Sequence, residues 1–358
     1  MGKQSRKRKP TNKLWGLIVL VTALVNIAAV VAMLACAYSG MLPPATFPRL
    51  SALPLFFPYP LAVCALFVLL WLFIRPKYIL ISLIGMLLCI TDIRAFLPLN
   101  LKNDLPEGTL KVLSYNIGNL EREDKELFID YLADSGADII CFQEYGYRFK
   151  LDSEEKIKGL YPYSKLNGLE GRNTCLSKYP ITGSELIKFD NTANSAAAFT
   201  IDVNGDTLTV LNIHLQSYYF GVKELDEYKD ITRKRTSMEE RERNTKDVIR
   251  ILMKGNVKRD RQVEEIENYL NTLQGKRVIL CGDFNETANG YAHYRFTKQL
   301  NDAYTRTGNG PGFSYNRNRI KVRIDHILCS DGIEPYECQV DNTIYVSDHF
   351  PIWARLKL

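Results

Sequence analysis

Several apolar stretches in the C-terminal part of this sequence end in an acidic, amide or imidazole residue. Polar side chains at adjoining strand ends of a packed sheet can converge on one rim, although they are far apart along the chain. A single polar strand end carries no information, because every strand must end somewhere. Six ends drawn only from Asn, Asp, Glu and His predict one shared site, and its residues are Asn116, Glu144, His214, Asp283 with Asn285, Asp325, and Asp348 with His349.

The residue types in this set indicate a particular chemistry. Carboxylate and amide oxygens suit Mg²⁺, Mn²⁺ or Ca²⁺ better than zinc, and the sequence has no CxxC or Cys/His spacing typical of zinc sites. A hard dication and hydrogen-bond donors weaken the repulsion that protects a phosphate ester, while carboxylates and two histidines can act as general base and acid. We therefore predict metal-assisted hydrolysis of phosphate esters, with Mg²⁺ as the expected cofactor and a phosphate ester as the expected partner.

The motifs around these residues occur in an ordered series. They are Ser114-Tyr115-Asn116, Gln143-Glu144, residues 176–181, Asn212-Ile213-His214-Leu215, Gly282-Asp283-Phe284-Asn285, Arg323-Ile324-Asp325-His326 and Ser347-Asp348-His349-Phe350-Pro351. The series resembles the endonuclease/exonuclease/phosphatase (DNase I-like) family over residues 108–358. The resemblance implies an α/β fold, a four-layer αββα sandwich of two packed β-sheets flanked by helices, with the site at one end.

The resemblance also implies how the metal and the attacking water are held. Glu144 would be the main Mg²⁺ ligand, with Asn116 nearby and Asp348 completing or supporting the metal shell. Asp283 would orient or deprotonate the attacking water, and Asn285 would hold a phosphate oxygen. An amide at a strand end can instead cap a turn, and this alternative remains open for Asn116.

Proton transfer and substrate binding involve the remaining residues. His349 would face the scissile phosphate with Asp325 fixing its tautomer, and His214 would protonate the leaving group. Arg319 and Arg323 are expected to contact substrate phosphate, although Arg323 could equally clamp an internal carboxylate. Outside the proposed site set, the remaining two histidines are expected to have other roles: His293 is interpreted as structural, and His326 as lying beside the site.

The substrate is less well determined by the sequence. Gly118 and Gly146 stand where the apurinic/apyrimidinic endonuclease branch carries an acid and a lysine, whereas His214 resembles the DNase and the lipid- or inositol-phosphatase branches. Aromatic residues 218–220 could stack on bases or enter a bilayer surface. The leading hypothesis is nuclease-like hydrolysis of phosphodiesters or phosphomonoesters. A phospholipid or inositol-phosphate hydrolase and a catalytically inactive binding module are the alternatives.

The N-terminal part has a different composition. The chain as a whole is 46% hydrophobic and 24% charged, which excludes a disordered or collagen-like protein. Residues 1–13 carry six basic residues and no acidic one, and apolar runs follow over 14–37, 55–74 and 78–97. We predict a basic cytoplasmic tail over 1–13, a transmembrane region over 14–100 with about three helices, a linker over 101–107 and the catalytic domain over 108–358.

The distribution of basic residues predicts the orientation. The basic tail and the pair Arg75 and Lys77 should remain cytoplasmic, so three crossings place the catalytic domain on the extracytoplasmic, periplasmic side of the cell membrane. Because Asp92 and Arg94 interrupt the third run, it could fail to span, and the domain would then be cytoplasmic. A cleaved signal peptide is the alternative for the first run, which is however too long for one.

Overall fold

The N-terminal part of the chain folds into four helices. A computed structural model describes residues 13–102, 104–118, 120–146, 155–167, 172–218, 238–317 and 320–358. The helices are α1 (Lys13–Ser39), α2 (Pro58–Ile74), α3 (Ile79–Leu88) and α4 (Ile90–Phe96), with short 3₁₀ turns at Leu53–Phe56 and Pro76–Tyr78. Two helical segments, Lys13–Ser39 and Leu53–Ile74, are long and apolar enough to cross a membrane, and a third joins them if α3 and α4 count as one span.

The third apolar run is divided instead of forming one helix. The segments Pro76–Leu88 and Ile90–Phe96 meet at an angle of 70°. The two charged residues of the run, Asp92 and Arg94, both lie in α4 beyond the bend. Charged side chains are costly in hydrocarbon and cheaper at its boundary, so a bend that separates α4 from the apolar helix α3 is physically reasonable.

Helices α1 and α3 run in the same direction. Near their carboxyl ends, the hydroxyl of Tyr38 donates a hydrogen bond of 3.1 Å to the carbonyl oxygen of Leu88. Near their amino ends, Val19 of α1 and Ile79 of α3 belong to one apolar cluster around Trp71. The chain therefore begins both helices at one face of the helical region and ends both at the opposite face.

The remainder of the chain is built on two six-stranded sheets. The strands are β1 (Leu110–Asn116), β2 (Ile139–Gln143), β3 (Tyr163–Asn167), β4 (Asn173–Ser177), β5 (Ile181–Lys188), β6 (Ser195–Val203), β7 (Asp206–His214), β8 (Arg277–Asp283), β9 (Asn301–Asp302), β10 (Tyr315–Arg317), β11 (Ile320–Val322), β12 (Asp325–Cys329), β13 (Glu334–Val340) and β14 (Ile352–Lys357). The first sheet has the order β13-β14-β1-β2-β4-β3 and the second the order β5-β6-β7-β8-β12-β9. Strands β10 and β11 form a separate hairpin.

Five further helices accompany the sheets in the part of the chain that the structure describes. They are α5 (Lys125–Asp134), α6 (Glu155–Leu160), α7 (Met238–Thr272, with side chains described from Lys246), α8 (Tyr291–Phe296) and α9 (Ala303–Thr307). Helices α5 and α6 pack on the outer face of the first sheet, and α7 and α8 pack on the outer face of the second. A third cluster fills the space between the sheets. The predicted four-layer sandwich is therefore confirmed.

The central strands are apolar on both faces because both faces are buried. Along β2, Ile139 and Cys141 face the second sheet, whereas Ile140 and Phe142 face helix α5. A strand covered on both sides has no solvent face and shows no alternation of polar with apolar residues. A polar residue in or beside such a strand consequently needs a specific partner.

Candidate active site

The candidate site lies where strands of both sheets end. Strands β1 and β2 are parallel, as are β7 and β8, so their carboxyl ends carry Asn116, Glu144, His214 and Asp283 to one edge. Strand β12 runs antiparallel to β8, and its first residue, Asp325, is paired with Asp283. Strand direction alone therefore explains why residues far apart in the sequence meet.

The buried carboxylate of Asp283 is at the centre of the cluster. Its Oδ2 accepts hydrogen bonds from Nδ2 of Asn116 at 2.9 Å and from Nδ2 of Asn285 at 3.2 Å. Its Oδ1 accepts a third bond from the backbone N–H of Asn285 at 2.8 Å. The Nε2 atoms of His214 and His349 lie 3.6 Å and 3.8 Å from Asp283 Oδ2. One carboxylate thus contacts four of the predicted residues.

Two backbone features determine where the side chains of this cluster lie. Gly282, which precedes Asp283, has a φ of +138°, and a Cβ atom there would lie 1.9 Å from the carbonyl oxygen of Ile213 on the neighbouring strand. Only glycine allows this approach of β8 to β7. Glu144 and Asn285 adopt φ values of +58° and +51°, a left-handed conformation that is unusual for a glutamate and is found mainly where function requires it.

His349 forms a buried pair with Asp325. The Nδ1 of His349 lies 2.8 Å from Oδ2 of Asp325, while the ring of Tyr315 lies 5.2 Å from the imidazole between centroids. Burial lowers the pKa of His349, but the carboxylates of Asp325 and Asp283 outweigh it and raise the pKa to about 10. The imidazole is therefore a cation near neutral pH, with Nδ1–H donating to Asp325 and Nε2–H facing the centre of the site.

The pKa of Asp283 is raised from its ordinary value. Burial is the main cause, and the charge of Asp325 adds to it, whereas His349 and His214 oppose the shift. A carboxylate with a raised pKa is a stronger base than an exposed aspartate. The same side chain can therefore accept a proton from a water molecule at the rim of the site.

Glu144 lies at the open side of the cluster. Its side chain is 38% exposed, and its Oε1 lies 3.7 Å from Nε2 of His214 and 3.4 Å from Nδ2 of Asn116. A Cβ atom at Gly118 would lie 2.6 Å from Oε2 of Glu144, so glycine leaves room for this carboxylate. The Nε2 of His214 is buried and has no hydrogen-bond partner among the described residues. An acidic group and an unsatisfied imidazole nitrogen thus adjoin the same opening.

Asn116 combines its two predicted roles. Its amide nitrogen donates to the carboxylates of Asp283 and Glu144, and its Oδ1 accepts a bond of 2.9 Å from the N–H of Gly118. The turn-capping alternative is therefore realised through the oxygen. Asn116 therefore orients the two carboxylates, and its place beside a bound cation stays a prediction.

Of the two predicted arginines, the structure describes Arg323, which does not join the cluster. Arg323 is buried, donates to the carbonyl oxygens of Pro311 and Ala95, and lies 4.1 Å from the ring of Tyr304. This placement corrects the expectation that Arg323 contacts substrate, because its guanidinium is used by protein carbonyls. Arg319 lies outside the described residues, as do residues 219 and 220 of the aromatic run.

A different arginine reaches the rim. The NH1 of Arg317 lies 3.3 Å from Oδ2 of Asp348, the residue that precedes His349, and this carboxylate is mostly buried. The sequence analysis did not assign this pair. Because β10 carries Arg317 and its neighbour Tyr315 against residues 348 and 349, the hairpin forms one wall of the site.

A polar contact beneath the site joins the two sheets. Gln143 of β2 donates through Nε2 to Oδ1 of Asn212 of β7 at 2.7 Å and to Oγ of Ser114 at 3.1 Å. Asn212 donates in turn to the carbonyl oxygen of Phe142 at 2.8 Å. Sequence analysis placed these residues in motifs but gave them no role, although polar residues in fully apolar strands indicate a buried partner.

Comparisons with known proteins agree with this geometry. Residues 113–349 match the model of the Endonuclease/Exonuclease/phosphatase family, and residues 17–96 match a domain of unknown function (DUF8431). No curated protein matches the chain. The solved structures that are similar include a humanized D. rerio TDP2 with 14 mutations, at 16% identity and a TM-score of 0.50 over 70% of this chain and 99% of that chain.

Bacteroides thetaiotaomicron VPI-5482 mannosyl-6-phosphatase Bt3783 is similar to the same extent, with 17% identity and a TM-score of 0.50 over 70% of this chain and 100% of that chain. These likenesses show the fold, which is the DNase I-like sandwich. The fold and the acid, imidazole and amide cluster define a hydrolase of phosphate esters. The chain belongs to the endonuclease/exonuclease/phosphatase family.

Proposed function

We propose that this protein is a membrane-tethered phosphoesterase that depends on a divalent metal ion, most suitably Mg²⁺, and that it cleaves its substrate by in-line attack of water. The observation that carries the proposal is the contact of Asp283 with Asn116, Asn285, His214 and His349 at one strand edge. A base with two imidazoles and two amide donors, each within about 4 Å of it, provides the protein groups that phosphoester hydrolysis needs beside a metal ion.

The donor set is compatible with a hard cation. Glu144 offers a partly exposed carboxylate beside a space that Gly118 keeps open. Asp348, which also pairs with Arg317, offers a second carboxylate next to His349. We assign Glu144 as the main ligand and Asp348 as its support. A bound Mg²⁺ would neutralise charge on the phosphate oxygens and thereby ease nucleophilic attack.

Different side chains then carry out the separate proton transfers of the reaction. Asp283 orients the attacking water and accepts its proton, because burial has raised the pKa of this carboxyl. His349, held in one tautomer by Asp325, presents a positive Nε2–H to the phosphate. His214 donates a proton to the leaving oxygen through Nε2, which makes no hydrogen bond with the described residues. Asn285 uses its Nδ2 on Asp283 and on the carbonyl oxygen of Leu215, so its contact with a phosphate oxygen stays a prediction.

We also propose that the catalytic domain is extracytoplasmic. Helices α1 and α3 begin at one face of the helical region and end at the other, which is the arrangement expected for an odd number of crossings. The basic tail before Leu14 would remain in the cytoplasm. A reporter fused after Leu358 tests this side directly: activity of a reporter that works only in the cytoplasm would contradict it.

The activity is tested on the full-length protein in detergent. We expect Mg²⁺-dependent hydrolysis of bis-p-nitrophenyl phosphate that stops with EDTA and returns with added Mg²⁺. His349→Ala should abolish turnover, whereas Lys188→Ala, at the exposed end of β5, should leave it unchanged. Full activity in EDTA would exclude the metal, and full activity of His349→Ala would exclude the assigned site.

A further inference from the structure

The catalytic domain is held against the helical region by more than its linker. The loop after α1, residues 40–52, makes hydrogen bonds with helix α7. The backbone N–H of Ala45 donates to Oδ2 of Asp260 at 2.8 Å, and Nδ2 of Asn256 donates to the carbonyl oxygen of Ser51 at 2.7 Å. We call this set of contacts, together with those of the next paragraph, the dock.

The second half of the dock involves the end of the helical region, residues 92–100. Asn289 donates through Nδ2 to the carbonyl oxygen of Asp92 at 2.9 Å, inside helix α4. The N–H of Gly310 donates to the carbonyl oxygen of Pro98 at 3.0 Å, and the backbone N–H of Asn100 donates to Oδ1 of Asn309 at 2.7 Å. Residues 92–100, which precede the expected linker, are thus hydrogen-bonded to the domain. These bonds give the domain a defined orientation relative to the helical region.

The dock uses segments that carry the active site. Arg323, which donates to the carbonyl oxygen of Ala95 in α4, is two residues from Asp325, a span of at most about 7 Å. Asn289 is four residues from Asn285, at most about 14 Å along the chain. A Cβ atom at Gly40, just after α1, would lie 2.1 Å from the carbonyl oxygen of Asn289. The active edge of the sandwich is therefore the edge that faces the membrane helices.

The surroundings of the dock indicate where the bilayer surface lies. Helix α4 carries the charges of the third apolar run, and charged groups favour the head-group region. Leu99 and Leu101 just beyond it are 79% and 92% exposed, and Phe47 and Leu50 of the other dock segment are also exposed. Exposed apolar side chains continuous with membrane helices are suited to the boundary between head groups and acyl chains.

The charge of the catalytic part favours a small headgroup over a long polyanion. Residues 101–358 carry 36 Lys and Arg against 39 Asp and Glu, so there is no net positive charge to attract nucleic acid. Affinity for a nucleic acid depends mainly on neutralising many phosphates, whereas one phosphoester brought to the site by the membrane needs no such attraction.

We infer that the substrate is the phosphoester headgroup of a lipid in the membrane leaflet on which the catalytic domain is docked. This inference rests on the proposed function. Water adds to phosphorus as the bond from phosphorus to one ester oxygen breaks; the proton of the water passes to Asp283, and the leaving oxygen takes a proton from His214. The products are an alcohol and a phosphate with one ester bond fewer.

The test uses the full-length protein in vesicles of phosphatidylcholine that contain phosphatidylglycerol and phosphatidic acid. Glycerophosphoglycerol and glycerol phosphate provide the same phosphoesters without acyl chains. We expect the lipids in the protein's own vesicles to be hydrolysed at least about tenfold faster than these soluble counterparts at equal bulk concentration, because docking raises the effective concentration. The same lipids in separate, protein-free vesicles should be hydrolysed more slowly.

The outcomes separate the inference from the proposed function. Failure to hydrolyse bis-p-nitrophenyl phosphate in the same vesicles overturns both. Hydrolysis of bis-p-nitrophenyl phosphate without a preference for lipid over the soluble counterparts overturns the inference alone. Cleavage of plasmid DNA with a higher kcat/KM than that of the lipids would also overturn it, in favour of a nuclease.

A dock variant provides an independent measurement. Asp260→Ala removes the acceptor for the backbone N–H of Ala45. Asn100→Ala removes the bonds that its Nδ2 donates to the carbonyl oxygens of Thr305 at 3.2 Å and Gly308 at 2.7 Å. The double variant therefore weakens both halves of the dock without changing the active cluster. We expect lipid hydrolysis to fall about fivefold, with hydrolysis of bis-p-nitrophenyl phosphate kept within about twofold. Asp247→Ala on the same helix, whose carboxylate pairs with Arg250, is the control. An equal loss of both activities, or no loss of either, would overturn the inference.

Discussion

The four histidines of this protein lie in two buried clusters of the same residue types. In one, His349 groups with Asp283 and Asp325; in the other, His293 and His326 group with Asp302. In each group the potential ligand atoms lie within 4.8 Å of one another. By composition alone both clusters could hold a cation or transfer a proton.

The clusters differ in how their polar atoms are used. Asp302 accepts hydrogen bonds from Nε2 of His293 at 3.0 Å, from the N–H of Tyr304 at 2.8 Å and from Oγ1 of Thr305 at 2.6 Å. His326 contacts a backbone carbonyl oxygen through Nε2. The Nδ1 of His326 has no hydrogen-bond partner among the described residues, as Nε2 of His214 has none, but it is buried and no half-exposed carboxylate adjoins this cluster in the part of the chain that the structure describes.

The cluster around Asp283 lies instead at strand ends, beside the partly exposed Glu144. The pKa shifts are opposite in sign: that of His349 is raised to about 10, whereas burial, with the charges of His293 and Arg323, lowers that of His326 to about 3. Solvent access and the charge on the imidazole therefore distinguish the reactive cluster from the structural one.

The largest expected effect is on the reactive cluster. Asp283→Asn keeps the shape but removes the base and replaces one of the two hydrogen-bond-accepting oxygens with a donor, so we expect kcat for bis-p-nitrophenyl phosphate to fall by about 10³-fold. The midpoint of thermal unfolding should change little, because burial already disfavours the charged carboxylate, and the loss of its charge offsets the lost hydrogen bond. Activity within about tenfold of the wild type would contradict the assignment.

The corresponding change in the other cluster should reverse this pattern. Burial opposes ionisation of Asp302, but the hydrogen bond and charge of His293 hold its pKa well below the usual range. Asp302→Asn should therefore lower the free energy of unfolding by about 2–3 kcal/mol. Chemical denaturation measures this loss, and kcat of the folded variant should stay close to that of the wild type. A loss of kcat equal to that of Asp283→Asn would remove the distinction between the clusters.

A third experiment concerns the protonated imidazole of His349 in the reactive cluster. The imidazolium of His349 is stable below its raised pKa, so activity should decline as pH rises toward about 10. Asp325→Asn removes the first carboxylate that stabilises the cation and should move this alkaline limb down by about 1–2 pH units. The measurement is log kcat against pH for the wild type and for Asp325→Asn. An alkaline limb at the same pH in both proteins would show that Asp325 does not stabilise the protonated imidazole of His349.

The smallest expected effect is a pH dependence of stability. Because the pKa of His326 is about 3 in the folded protein, below its usual value, its contribution to stability is complete at neutral pH and is lost as pH falls from about 6.5 toward 3. The loss is at most about 1.4 kcal/mol per pH unit. His326→Gln, whose amide can replace the bond to the carbonyl oxygen of Glu286, should flatten the decline between pH 7 and pH 5.

The sandwich could be predicted from the resemblance of the ordered motifs to a known family, and the members of the reactive cluster from polar residues at the ends of apolar strands. The structure shows why they meet: β1 and β2 are parallel, as are β7 and β8, so their carboxyl ends bring Asn116, His214 and Asp283 to one edge. The turn at Asn204 and Gly205, which joins β6 to β7, was likewise determined by local backbone preference. Such features depend on neighbours in the chain or on strand period.

The directions of long or buried side chains, in contrast, depend on tertiary packing. Arg323 belongs to a family-like motif, yet its guanidinium turns to a carbonyl oxygen of helix α4, a partner 228 residues away. Three other sets of contacts also join residues that are distant in the sequence or have no predicted partner. They are the pair of His293 and Asp302, the hydrogen bond between Gln143 and Asn212, and the dock of the domain on the helices. These contacts depend on which surfaces face each other after packing. They cannot be predicted from the spacing of residues along the chain, because spacing fixes only local geometry.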